Sequence, residues 1–267
     1  MAKRNLAFYC RIYRRIVVQD IKSKMSYRAD FIISMIGMLA MNAAQAIGFY
    51  LLFQRFPSIA GWDYYEMIFI YGFSLIAATP AQCLFDHNWM LRYDVYSGDF
   101  IKYCFRPVNL FFYYMSEVFD VKGIGQFLFG VAAIVYSWNK LQLPFRWYTP
   151  GLFVAEALSA SLFVIAILNA AAATCFWILN SFFVLELSNQ LRDFARYPIT
   201  IFNSALRILF TFVVPLAFMA FYPATVFLRP GATSYITILT PFLGAFFFYL
   251  SYKLWMKGAM SYNGTGS

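Results

Sequence analysis

The chain has 267 residues, of which 62% are hydrophobic, 22% aromatic and only 12% charged. Soluble domains carry about 25% charged residues and are about half apolar, so this composition excludes an ordinary soluble domain and indicates an integral membrane protein. The net charge of +9 does not indicate a nucleic-acid-binding protein, because the basic residues flank apolar runs and accompany no recognisable binding motif.

The N-terminal segment, residues 1–28, is predicted to form an amphipathic connecting helix at the membrane surface. Tyr9 and Ile16 recur at helical spacing on one side, while Arg11 and Arg15 lie on the other. The apolar side would enter the acyl boundary and the basic side would meet anionic headgroups. The segment lacks the short apolar core of a cleavable signal.

Six apolar runs are each predicted to cross the membrane as a helix, because about 20 apolar residues span the hydrocarbon core. They are residues 31–53, 64–85, 110–138, 150–179, 199–214 and 233–255. The third run contains Glu117, Asp120 and Lys122, which we expect at the headgroup level, since a helix over the whole run is longer than the core is thick. The fold class is therefore an all-α membrane protein with one domain, residues 1–262, and a flexible tail at 263–267.

The loop at residues 86–109 is the most polar stretch in the middle of the chain. A Gly-Asp pair at 98–99 is predicted to end one short helix and begin another, with Phe100, Ile101 and Cys104 on one face. A short amphipathic helix between two spans is a natural contact for a partner protein. The alternative is an interfacial loop that packs on its own bundle.

Residues 181–196 are polar again and are predicted to form a second cytoplasmic helix. Pro215 and Pro223 interrupt the run that follows, so the fifth span is predicted to end at about Val214, with a re-entrant segment at 215–229 near the outer face. Irregular backbone is tolerated at membrane depth only where protein or water covers it, so we expect this segment to pack inside an assembly.

The distribution of Lys and Arg predicts the orientation of the chain. These residues are concentrated in the N-terminal segment, the 86–109 loop, residues 181–207 and the C-terminus, and they are sparse in the alternate loops. Basic loops stay on the cytoplasmic side, so both termini are predicted to be cytoplasmic.

The residues indicate no catalytic chemistry. The sequence contains no Gly-x-x-x-x-Gly-Lys-Ser/Thr phosphate loop and no nucleophile motif with a matching base, so we expect neither an enzyme nor a bound cofactor. The single histidine, His87, lacks companions for a metal site and is interpreted as solvated or capping. Arg207, about 13 Å along a helix that starts at residue 198, is predicted to line a vestibule or to pair with an acidic residue.

The order of these parts resembles the transmembrane subunits of ABC-2-type (type V) ABC exporters, and in particular a branch of small bacterial permeases. Local matches are Tyr27-Arg28-Ala29-Asp30-Phe31, Gly61-Trp62 with Glu66, Ser97-Gly98-Asp99 through Arg106-Pro107, Tyr197-Pro198-Ile199, and Pro215-Leu216-Ala217-Phe218 continuing to Tyr222-Pro223-Ala224. Each match is weak alone, and the resemblance is carried by their order and spacing over nearly the whole chain.

The resemblance implies the permease subunit of an ATP-driven exporter of amphiphilic or drug-like molecules in the bacterial cytoplasmic membrane. It implies two separate ATPase subunits that bind ATP and Mg, and a second permease, identical or homologous, with no nucleic-acid partner. The residues that it places at the ATPase contact, through a coupling helix, are Ser97, Gly98, Asp99, Phe100, Arg106 and Pro107. The residues that it offers for the pathway or its gate are Arg207, Pro215, Phe218, Tyr222 and Pro223.

Other classes of function remain open at this point. A gradient-driven carrier or channel would use Glu117, Asp120 or Arg207 as a relay, but the sequence has no internal repeat with paired broken helices. An intramembrane enzyme would need a catalytic constellation that is missing, and a membrane scaffold would transport nothing.

Overall fold

The structure is a computed structural model that describes residues 6–26, 28–178, 181–230 and 235–262. Within these ranges the chain is helical and has no strand, which confirms the all-α class. Parts of several predicted features lie outside the described residues, namely residues 1–5, Tyr27, 179, 233–234 and the tail at 263–267.

The α-helices follow one another with short connections. In chain order they are α1 (Leu6–Met25), α2 (Arg28–Arg55), α3 (Tyr64–Phe85), α4 (Asn88–Ser97), α5 (Ile101–Cys104), α6 (Leu110–Ser116), α7 (Lys122–Lys140), α8 (Thr149–Ala173), α9 (Phe182–Arg192), α10 (Ser204–Ile208), α11 (Phe221–Leu228) and α12 (Tyr235–Met260). Short 3₁₀ turns lie at Thr174–Phe176, Asp193–Arg196, Ile199–Ile201 and Leu216–Met219, and a π-helical turn lies at Leu209–Val213.

Three helices in the described part of the chain are long and apolar enough to cross a membrane. They are Ala29–Arg55, Tyr64–Ser97 and Thr149–Phe176. The first, second and fourth predicted spans fall on these helices, so the chain is a membrane protein.

Two helix pairs form the centre of the bundle, α3 with α7 and α8 with α12. At Gly72 of α3, an added Cβ would lie 2.9 Å from the carbonyl oxygen of Gly130 in α7. At Gly244 of α12, an added Cβ would overlap the backbone of Ser159 in α8. Small residues at both crossings therefore let the helix backbones approach closely, as is common between membrane helices.

The predicted third span, 110–138, is two helices rather than one. α6 and α7 are separated at residues 117–121. The Asp120 amide donates to a carbonyl of α3 at 3.2 Å, and Asp20 of α1 accepts from the Phe119 amide at 3.0 Å. The prediction of one helix was wrong because these contacts, remote in sequence, satisfy backbone groups that the break releases.

Residues 182–201 run along the whole length of α3 in the opposite direction. The Phe182 ring lies 6.3 Å from Trp89, just beyond the last residue of α3. At the other end, the Trp62 indole donates to the Thr200 hydroxyl at 2.7 Å, just before α3 begins. We call these two ends of the bundle the turn end, which also carries residues 98–107, and the Trp62 end.

α9, at Phe182–Arg192, confirms the helix that the sequence predicts within residues 181–196, and the residues that follow it pack against α3. The Arg196 guanidinium carbon lies 6.0 Å from the centre of the Tyr71 ring, beside the middle of α3. The polar residues of this segment line a cavity that forms only in the packed bundle.

The predicted fifth span, 199–214, is not one helix. A 3₁₀ turn at Ile199–Ile201 is followed by α10 and then by the π-helical turn. The Phe210 ring stacks 5.6 Å from Phe194, so the chain has turned back alongside the 182–201 segment.

Residues 202–229 leave the Trp62 end of the bundle and return to it, and we call this segment the excursion. Phe218 stacks on Phe163 of α8 with ring centres 5.1 Å apart. α11 then leads back, and Arg229 contacts Glu66 near the start of α3. The excursion covers residues 202–229, and the segment predicted at 215–229 is its second half.

Candidate functional site

A sharp turn at Gly98 joins α4 to the four-residue helix α5. Gly98 has a φ of 85°, a left-handed conformation that glycine adopts without a Cβ clash. The Ser97 hydroxyl donates to Asp99 Oδ2 at 2.8 Å, and the Phe100 amide donates to the Asp94 carbonyl at 2.9 Å. The helix boundary lies where the sequence predicts it.

The inner side of this turn is anchored by Phe100, which is fully buried. Four aromatic rings surround Phe100 with ring centres 5.3 to 5.9 Å away, and we call them the aromatic seat: Tyr114, Phe176, Trp255 and Tyr262. The seat joins α6, the end of α8 and the last turns of α12, so the turn is attached to three helices at once.

The three residues predicted to share one face of the turn, Phe100, Ile101 and Cys104, differ in exposure. Phe100, which the resemblance places at the ATPase contact, is fully buried, whereas Ile101 is 44% exposed and Cys104 is also exposed. Tyr103 takes their place and is only 2% exposed. In so short a helix the neighbour at i+3 shares the face of Phe100, whereas i+1 points away from it.

The outer side of the turn is exposed and mixes aromatic and charged groups. Phe105 is 80% exposed, and Tyr93 and Tyr96 are also exposed large side chains. We call this surface the outer face of the turn, and its remaining exposed members are Asp99, Ile101, Lys102, Arg106 and Pro107. Exposed aromatic groups framed by charges are typical of protein contact surfaces.

A buried polar cluster lies between the turn and the bundle. The Tyr114 hydroxyl donates to Asp94 Oδ2 at 2.8 Å. His87 Nε2 lies 3.3 Å from the Tyr103 hydroxyl, 3.6 Å from Glu117 Oε2 and 3.7 Å from Asp94 Oδ2. The cluster therefore links α4, α5 and the break after α6 through hydrogen bonds and charge.

The interpretation of His87 as solvated or capping was wrong. His87 is 7% exposed, and its side chain makes no cap hydrogen bond although it precedes α4. Burial and the neighbouring Glu117 carboxylate raise the pKa of Tyr103, so its hydroxyl stays protonated beside this group. No group of His, Cys, Asp and Glu within the described ranges has the arrangement of a metal site.

Comparison with protein families identifies the chain. Residues 39–266 match the family described as ABC-2 family transporter protein. The chain belongs to the ABC-2 transporter family. Comparison with curated proteins and with solved structures finds no match for it. Permeases of this family are membrane subunits, generally without catalysis of their own, and they work with ATPase partners.

The charges predicted in the third span of the permease lie at its helix break. Asp120 is 7% exposed and accepts from Gln82 Nε2 at 3.3 Å, while Lys122 Nζ lies 3.7 Å from the same carboxylate. Arg207 is exposed, and its guanidinium donates to the Thr200 carbonyl at 3.2 Å. The expected position of Arg207 was wrong, because its helix starts at Ser204 rather than at residue 198.

The predicted pathway residues of the permease meet inside the 202–229 excursion. The Phe218 and Tyr222 rings are 4.9 Å apart, and the Tyr222 hydroxyl lies 3.5 Å from that of Thr211. Pro215 and Pro223 are buried in the same excursion. The Arg207 side chain does not join this group, although its carbonyl accepts from the Thr211 hydroxyl at 2.7 Å.

Sequence reasoning missed the role of Arg229. Its guanidinium contacts both Glu66 carboxylate oxygens at 3.1 Å, donates to the Gly61 carbonyl at 2.7 Å and lies 3.6 Å from the centre of the Trp62 ring. Glu66 also completes a capping box with Asp63 at the start of α3. The sequence signal for this group was the local family resemblance at Gly61-Trp62 and Glu66. No feature of the sequence indicated that Arg229 is the partner of these residues.

Proposed function

We propose that this permease is the membrane subunit of an ATP-driven exporter and that the outer face of the turn receives its ATPase partner. The single observation that carries the proposal is the contrast across the turn. Phe105 and its exposed neighbours face outward, while Phe100 is locked into the aromatic seat. A partner that pushes on the outer face would therefore move a rigid unit instead of a loose loop.

The route for that movement runs through three helices. Phe100 contacts Trp255 of α12 and Phe176 at the end of α8, and α8 packs along α12. Asn109 Nδ2 donates to the Tyr252 hydroxyl at 3.1 Å, a second link to α12. Packed elements with two arrangements can transmit such displacements between the two faces of a membrane protein.

We further propose six membrane crossings, with the turn end and both termini in the bacterial cytoplasm. Residues 182–201 would make the fifth crossing, and the 202–229 excursion would be the re-entrant segment. The Trp62–Thr200 hydrogen bond supports this topology, because it brings residue 200 to the end of the bundle opposite to Phe182.

The proposed assembly contains two ATPase subunits, which bind ATP and Mg, and a second permease that is identical or homologous. Exposed apolar side chains on α2, among them Ile33 and Met41, and on the excursion, among them Phe212 and Val213, support an apolar contact with a second permease. The stacked rings of Phe163 and Phe218 are compatible with amphiphilic or drug-like substrates.

The test is affinity purification of the tagged chain from its native membrane in mild detergent, with mass spectrometry and an ATPase assay. We expect a soluble subunit with a phosphate-binding loop to co-purify, together with vanadate-sensitive hydrolysis of ATP. An intact permease that purifies without an ATPase, while transport in vesicles responds to ionophores, would instead identify a gradient-driven carrier.

A further inference from the structure

A cavity of about 350 Å³ with a partly polar lining lies between α2, α3, the start of α4 and α9, and one residue each of α7 and α8 completes its wall. A smaller cavity of about 40 Å³ shares four lining residues with it and extends it toward the Trp62 end. The shared residues are Asn42, Gln126, Arg192 and Arg196. The combined space is of the size that holds a small molecule.

The two arginines lie at the depth of the apolar helices. Arg196 lies against Tyr71, which is about 21 Å along the axis of α3 from Phe85 at the turn end, at 1.5 Å per residue. Arg192 lines the smaller cavity together with Ala78. Arginine at such depth normally faces a polar partner or water and marks a functional site.

Two acidic residues, Asp86 and Asp193, line the cavities together with the two arginines, but an ion pair at contact distance is formed only by Arg196 among the described residues. Arg196 is paired with Asp193 at 2.8 Å. Within the part of the chain that the structure describes, no carboxylate lies within 4.0 Å of Arg192. Asp86 is the other acidic residue of the wall, and the charged groups that act on it are Asp120, Lys122 and Lys24.

Asn42 adds a free donor to the same wall. Its carbonyl and its Oδ1 both accept from the Tyr71 hydroxyl at 3.2 Å, which orients the amide. Its Nδ2 is buried and has no hydrogen-bond partner within the described ranges. Arg192 and Asn42 thus bring donors without partners to this wall, while Asn88 Oδ1 is a buried acceptor without a partner among the described residues of the same lining. A guanidinium with no carboxylate at contact distance suits an anionic group.

We propose that this cavity binds the anionic headgroup, phosphate or carboxylate, of an amphiphile, with its apolar chain against Met38, Met41 and Phe85, which line the same cavity. The identification of that amphiphile as a transported substrate rests on the proposed exporter function. The binding itself does not, because it needs only the permease.

The test measures binding of radiolabelled decyl phosphate to the purified full chain in a non-ionic detergent by equilibrium dialysis. We expect saturable binding that Arg192→Gln weakens at least tenfold and Asn42→Leu weakens several-fold. Arg55→Gln, which removes an exposed arginine at the Trp62 end of α2, controls for net charge and should change the affinity less than twofold. Micelle partitioning is the same for all variants.

Two competitors distinguish the source of the anion. Decyl glucoside, which has the same chain and no charge, should not displace the probe, and inorganic phosphate should displace it only at far higher concentration. Equal binding by the wild type and by Arg192→Gln would overturn the site. The same result is expected if a second copy of the permease neutralises Arg192, and the site is overturned in that case too. If inorganic phosphate displaced the probe at the same concentration as unlabelled decyl phosphate, the proposal that the ligand is an amphiphile would be overturned.

The experiment also separates this site from the proposed function. Binding to the isolated permease together with failure to recover an ATPase would retain the site and reject the exporter. Recovery of an active ATPase complex whose permease does not bind the probe would retain the exporter and reject the site.

Discussion

Replacing Phe100 by alanine should destabilise the permease strongly, because this side chain is fully buried among four aromatic rings. Removal of a buried phenylalanine costs about 3–5 kcal/mol in total. Loss of several aromatic pairs, each worth about 0.5–1.5 kcal/mol beyond area burial, places Phe100→Ala in the upper part of that range. We therefore expect the free energy of unfolding to fall by about 4–5 kcal/mol. Phe100→Leu keeps most of the volume and should lose about 1–2 kcal/mol.

The same turn provides a matched control, since Phe105 is 80% exposed. Phe105→Ala should change stability by less than about 0.5 kcal/mol. Unfolding in mixed detergent micelles, followed by tryptophan fluorescence, is a suitable assay because Trp255 lies 5.9 Å from Phe100. If Phe100→Ala and Phe105→Ala unfolded at the same denaturant concentration, the aromatic seat would not anchor the turn.

Three further changes test other parts of the molecule. Arg106→Glu, on the outer face of the turn, should leave unfolding unchanged while it uncouples ATP hydrolysis from transport in reconstituted vesicles. Glu66→Gln should lower the free energy of unfolding by about 1 kcal/mol, since its pair with Arg229 is charge-assisted but partly exposed. Gly244→Val should lower it by about 1–3 kcal/mol, because the added side chain overlaps the backbone of α8.

Each of these predictions has a control variant or an outcome that would contradict it. Arg55→Glu reverses a charge at the Trp62 end and should leave coupling intact; equal losses in both variants would reject the outer face as the contact. Gly151 has open space around an added Cβ, so Gly151→Val should be far milder than Gly244→Val. If Glu66→Gln and the wild type unfolded at the same denaturant concentration, the contact between Glu66 and Arg229 would contribute no stability.

The sequence alone determined the class of protein and several of its helices. Runs of about 20 apolar residues are local signals, so α2, α3 and α8 lie where those runs predict them. Gly98 ends α4 because a left-handed residue is a local requirement of the backbone. The family resemblance likewise rested on the order of local motifs, and the family match confirms it.

The tertiary structure alone decided the course of residues 182–229 and the surroundings of the polar groups. Arg192 and Arg196 read as cytoplasmic in a polar stretch, yet packing against α3 encloses them in a cavity beside apolar helices. His87 read as solvated, yet Glu117 and Asp94 from other segments surround it. The physical reason is the same in each case. Burying a polar side chain costs free energy that partners reduce, and those partners come from segments distant in sequence.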